Sequence, residues 1–169
     1  MDTTATIPTG AAAERWRFKS FTLFSLCVGA FIYPVYACWM WGGGWLAQLG
    51  PNLGLAHGAV DYAGSSVVHL QGGVLALVLS WMLGPRIGKF GHDGRANAIP
   101  GHNMPYAVLG TLILWFGWFG FNPGSTLGVA TSGHVGFFGY VALTTNLAAA
   151  AGGVGGISVA WLVLRKPDV

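Results

Sequence analysis

Four apolar segments, each long enough to cross a bilayer, alternate with loops whose positive charges all fall on one side. The segments are residues 18–41, 61–83, 104–121 and 135–164, and each meets or approaches the roughly 20 apolar residues that a spanning helix needs. Arg15, Arg17 and Lys19 lie at the start of the first segment, Arg86, Lys89 and Arg95 lie between the second and third, and Arg165 and Lys166 follow the fourth. Loops 42–60 and 123–134 hold no lysine or arginine, so all eight basic residues share one side of a four-span topology. The positive-inside rule assigns that side, and with it both termini, to the cytoplasm. One helix more or fewer would scatter the charges. The expected fold class is therefore an all-α membrane protein, multi-pass in the cell membrane (plasma or inner).

Composition agrees. Only 8% of the 169 residues are charged and 53% are hydrophobic, whereas soluble domains carry about a quarter charged residues. The 28 glycines suit helices whose backbones approach closely, because lipid supplies no hydrophobic drive for helix association. The basic residues are few and scattered between apolar segments, which excludes a nucleic-acid-binding surface. Cys27 and Cys38 lie in one apolar stretch and are expected to be small buried hydrophobes. Residues 1–10 lack a basic start, so the first span is expected to act as its own insertion signal. Pro34 should kink the first span, and Pro123-Gly124 should end or break the third. The fourth is longer than a bilayer requires, and Gly152-Gly153 with Gly155-Gly156 offers it a place to bend.

Against this apolar background the ionisable residues stand out. His69 comes eight residues after Asp61; at about 1.5 Å of rise per residue it is expected roughly 12 Å into the second span. Such a side chain is costly in lipid and usually faces a bundle interior or a conduction path. A neutral imidazole has one donor and one acceptor nitrogen, so it either bonds a neighbouring helix or hands a small polar molecule or a proton onward. Asp61 opens the second span, where a carboxylate accepts backbone N–H groups and complements the helix dipole. The same charge beside an outer vestibule also raises the local concentration of cations. Trp41, followed by Gly42-Gly43-Gly44, reads equally as an interfacial anchor or as the rim of a cation entrance. Phe121 and Ser125 are four apart, and on a continuing helical path share a face. A phenyl ring and a hydroxyl acceptor there would suit a small cation. No metal cluster or nucleophile–base pair is visible, so neither a cofactor nor an enzymatic activity is expected.

Taken in order, Ala13-Glu14-Arg15, Trp41-Gly42-Gly43-Gly44-Trp45-Leu46, Asp61-Tyr62-Ala63-Gly64 through Val67-Val68-His69, Gly101-His102-Asn103-Met104-Pro105 and Trp118-Phe119-Gly120-Phe121-Asn122-Pro123-Gly124-Ser125 resemble the ammonium transporter (Amt/Mep/Rh) family. The match runs over nearly the whole chain. It covers the family's spans four to seven, preceded by the tail of span three, so residues 1–169 are expected to be an ammonium transporter domain incomplete at both ends.

The resemblance implies a helical fold of two inverted repeats, usually assembled as a homotrimer with one narrow pore per protomer. It implies that ammonium is recruited on the outer side and deprotonated, and that ammonia crosses a hydrophobic pore lined by paired histidines. Trp41, Phe121 and Ser125 would match the outer recruitment site, Asp61 the vestibule aspartate and His69 the first pore histidine. The second pore histidine and the helices that complete the pore have no counterpart here. The implied partners are ammonium or ammonia as substrate and the lipid bilayer, and the chain by itself is not expected to form a competent pore. The alternative is a membrane module that does not transport, either an ammonium sensor element or a truncated remnant.

Overall fold

In a computed structural model that describes residues 1–165, four helices are long and apolar enough to cross a membrane: Phe18–Met40, Ser65–Leu83, Met104–Thr126 and Ser132–Leu164. They are called the first to fourth spans below. Among the described residues the remaining order is an amino-terminal helix, Asp2–Ala11, a short helix, Leu49–Leu53, and one isolated antiparallel bridge between Phe90 and Ala96. Lys166, counted above among the basic residues, lies outside the described residues. Two compact units divide the chain, Met1–Pro100 and the remainder from Gly101.

The first unit holds the amino-terminal helix and the first two spans. Its core is small: Thr4, Val28 and Val67 are fully buried, with Ala5, Ala12 and Val68 close to that. The amino-terminal helix lies along the second span. Gly72 makes that approach possible, because a Cβ added there would stand 2.9 Å from the Cβ of Ile7. At the far end Arg15 donates to the carbonyls of Ala11 and Gly84, so one guanidinium satisfies the last turns of both helices.

This packing corrects one expectation. Met1 rests against Gly29, with its sulfur 3.2 Å from where a Cβ would stand, and Gly29 is midway along Phe18–Met40. The amino-terminal residue therefore lies level with the centre of the first span, away from the end that carries Arg15, Arg17 and Lys19. The cytoplasmic assignment of this terminus does not hold for Met1 itself.

Each span of the first unit contains a widened turn. Residues Val28–Ile32 of the first form a π-helix that leads into Tyr33-Pro34. Pro34 has no N–H to give to the turn before it, and its ring crowds the carbonyl four residues back, so the backbone widens there. Gln71 of the second span reaches across and donates from Nε2 to the Ile32 carbonyl at 2.9 Å. Residues Ser65–Leu70, which include His69, form the second π-turn. Cys27 and Cys38 are exposed on the first span, which corrects the expectation of burial. An apolar side chain on a lipid-crossing helix is not driven into its own chain's interior.

In the second unit, Asn103 caps the third span by accepting from the Tyr106 N–H, and Thr131 caps the fourth by accepting from the His134 N–H. Trp115 donates to Asn146 and Asn122 to Thr145, each at 3.2 Å, tying the two spans together. The fourth span runs as one uninterrupted α-helix of 33 residues, Ser132–Leu164. The glycine pairs inside it do not break it. At about 50 Å it exceeds a hydrocarbon core of about 30 Å, and tilt is left as the means to accommodate it.

Candidate functional site

The entry to the second span is built around one carboxylate. The helix starts at Ser65, four residues later than the sequence pattern predicts, because Asp61 caps it from outside. Oδ1 of Asp61 accepts from the N–H groups of Gly64 at 2.5 Å and Ser65 at 3.0 Å. Oδ2 accepts from the N–H groups of Ser66 and Val67, both at 2.8 Å, and from the Ser66 hydroxyl at 2.7 Å. Four backbone donors that no helix can satisfy internally thus converge on one side chain. The fold-back requires Gly64 at φ +111°, and a Cβ there would stand 2.5 Å from Cγ2 of Val68. Only glycine suits both demands.

Asp61 is 7% exposed. Burial alone raises its carboxyl, but hydrogen bonds from Val67, Ser66 and Gly64 outweigh that, and the group is held below its ordinary value of 3.8. A carboxyl whose folded value is lowered stabilises the fold fully above its ordinary value and loses that contribution as pH falls toward the lowered one. Thermal unfolding in detergent should therefore show no loss from this group between neutrality and about pH 4, and a loss below it. A fall beginning near pH 6 that is absent from the Asp61→Asn variant would mean that Asp61 is not held in this way.

Trp41, at the end of the first span, is joined to the same structure. Its indole N–H donates to the Asp61 carbonyl at 2.8 Å, while the residue as a whole stays 45% exposed. The ring also lies 3.7 Å from the position a Gly64 Cβ would take. The indole is thus fixed at one edge, with its other surface open.

His69 sits in the widened turn, where its N–H donates to the Gly64 carbonyl at 3.0 Å. Because helical rise begins only at Ser65, the expected depth of roughly 12 Å shortens to about 6 Å from the helix start. The residue is partly buried, and its neighbours Val67 and Val68 are both buried. Two adjacent buried residues mark how the extra residue of a π-turn shifts the helix face.

In the second unit, the α-helix of the third span ends at Phe121, and a 3-10 turn, Pro123–Thr126, extends the span. Ser125 donates its hydroxyl proton to the Phe121 carbonyl at 2.8 Å, which leaves the oxygen lone pairs as acceptors. The Phe121 ring stacks on Trp118 with centroids 5.4 Å apart. Asp61, Trp41 and His69 are thus brought together in the first unit, and Phe121 and Ser125 in the second. Ser66, Gly64 and Gln71 were not singled out from sequence. Asp-x-x-Gly-Ser-Ser ahead of an apolar run, and a lone glutamine within one, are the patterns that point to them. Among the described residues no cluster of histidine, cysteine, aspartate and glutamate has the makings of a metal site.

Known proteins resemble this chain along nearly its whole length. The model of a family described as Ammonium Transporter Family matches residues 1–169. Ammonium transporter Amt2 of Archaeoglobus fulgidus is 52% identical over 99% of this chain and 35% of that protein. The ammonium transporter of Bacillus subtilis is 44% identical over 98% of this chain and 36% of its own length. A solved structure titled Sensor Amt Protein superposes with a TM-score of 0.85 and 42% identity, over 98% of this chain and 40% of that one. The chain spans about a third of the length of these curated relatives.

Proposed function

From the premise that the chain belongs to the ammonium transporter family, we propose that it serves transmembrane movement of ammonium or ammonia as the central segment of a pore. Trp41 of the first unit, and Phe121 and Ser125 of the second, each serve outer-side recruitment of the cation: an indole fixed at one edge, a phenyl ring, and a hydroxyl oxygen left as an acceptor. Asp61 is the vestibule carboxylate. Its two oxygens already accept five hydrogen bonds, which supports an architectural role over direct coordination of the substrate. That network is the observation on which the reading rests, because it ties the recruitment tryptophan to the helix bearing His69.

His69 lines the hydrophobic part of the pore, ammonium having given up its proton before that point. Further helices, as in the longer relatives, close the pore, and the complete protein assembles as a homotrimer in the cell membrane. The ends bearing the basic residues face the cytoplasm, with the correction given for Met1. No chemistry on the substrate beyond proton transfer is proposed.

The likeness to Sensor Amt Protein favours a second reading, a membrane module that binds ammonium without conducting it. Uptake of radiolabelled methylammonium by transporter-deficient cells separates the two. The segment joined to its completing helices should take up the label saturably, and the 169-residue chain alone should not. Correct membrane assembly of the completed protein with no uptake would favour the sensor, and robust uptake by the chain alone would overturn the need for further helices.

A further inference from the structure

At the end of the first unit opposite Asp61, a cavity of about 420 Å³ is lined by Gly10, Ala11, Arg15, Ser80, Pro85, Arg86, Lys89 and Ile99. Three of these residues are cations, and the acidic group near them is Glu14, 3.4 Å from Arg86 Nε. Arg15 donates to two carbonyls and its Nε has no hydrogen-bond partner, so among the described residues no carboxylate is paired with it. Lys89 gives one of its three donors to the Asn97 carbonyl.

The cavity wall is ordered. Asn97 donates its N–H to the Lys89 carbonyl at 2.7 Å and its side-chain amide to the Gly88 carbonyl at 2.9 Å, beside the Phe90–Ala96 bridge. Arg86 and Lys89 are therefore presented on a closed loop, which lowers the entropy lost when an anion is bound. Exposed apolar side chains adjoin the cavity's cations in the chain, a setting that suits a lipid better than a soluble anion. Ile87 is fully exposed, Trp81 is 84% exposed and Phe90 is 54% exposed. Apolar side chains flanking cations at the end of a spanning helix match the boundary between acyl chains and headgroups.

We propose that this cavity binds the phosphate of an anionic phospholipid headgroup, held by Arg86 and Lys89 with the Ser80 hydroxyl, while Ile87 and Trp81 meet its acyl chains. Arg15 contributes charge from behind, its terminal nitrogens remaining on the two helix ends.

The test uses the purified protein in nanodiscs of phosphatidylcholine with or without phosphatidylglycerol, read by native mass spectrometry of retained lipid. Phosphatidylglycerol should be retained in preference to phosphatidylcholine. Arg86→Gln combined with Lys89→Gln should weaken that retention about tenfold or more, and Glu14→Gln, which removes the competing carboxylate, should strengthen it. The opposite signs distinguish a binding site from general damage to the fold. Equal retention of the two lipids, or an unchanged preference in the double variant, would overturn the proposal. So would displacement of the lipid by inorganic phosphate with no preference for lipid, which would mark a site for the free anion.

Discussion

Asp61→Ala should stop the second span from seating: the protein should reach the membrane in much reduced yield and unfold at a markedly lower temperature. Four N–H groups and one hydroxyl would lose their acceptor at once. A buried donor left unsatisfied costs about 1–3 kcal/mol. With water reaching some of them, a net loss of about 3–5 kcal/mol follows, a large share of the roughly 5–15 kcal/mol that holds a domain together. Asp61→Asn should recover little, because one carboxylate oxygen becomes an NH2 group that faces donors. Asp61→Glu should also fail, since the carboxylate would overshoot a turn with no room to retreat from Gly64. The measurement is thermal unfolding in detergent together with uptake. An alanine variant that unfolds at the wild-type temperature yet takes up nothing would show that Asp61 acts on the substrate and not on the fold.

His69→Arg in the completed transporter should lower methylammonium uptake by at least about tenfold, equivalent to about 1.4 kcal/mol on the barrier, with assembly preserved. The neutral imidazole offers a donor and an acceptor without a fixed charge. A guanidinium at this position is always charged, so it repels a cation approaching from the vestibule and narrows the path. The exchange is expected to leave the fold in place because His69 is only partly buried, while the adjacent Val67 and Val68 carry the packing. His69→Gln serves as the control. It keeps hydrogen bonding without a fixed charge and should retain more uptake than the arginine variant. Wild-type uptake by His69→Arg would remove His69 from the conduction path.

Much of this was legible without coordinates. Each expected span was found, and the apolar runs located them because lipid leaves a crossing backbone no partner but itself. The role of Asp61 as a helix-start acceptor was legible in part. A lone carboxylate before an apolar run accepts N–H groups wherever the chain allows. Its reach was not, since five bonds need the backbone to fold back through Gly64, and that depends on a positive φ no single residue announces. The two π-turns escaped the pattern because helical periodicity assumes an unbroken 3.6-residue turn. Their stabilising contact, Gln71 to Ile32, joins residues 39 apart. The two exposed cysteines were misjudged for a different reason: hydrophobicity in a lipid-crossing helix says what the residue avoids, not which neighbour covers it.

What the sequence alone determined is the number of apolar spans and where each lies along the chain, since insertion energy depends on local apolar length. Tertiary structure decided where helices begin, how their faces turn and what touches what. It placed Met1 beside Gly29 at mid-span, pinned Trp41 to Asp61 and gathered Arg15, Arg86 and Lys89 around one cavity. Those outcomes rest on close approaches between residues distant in the chain, and such contacts are selected by packing geometry that local composition does not encode.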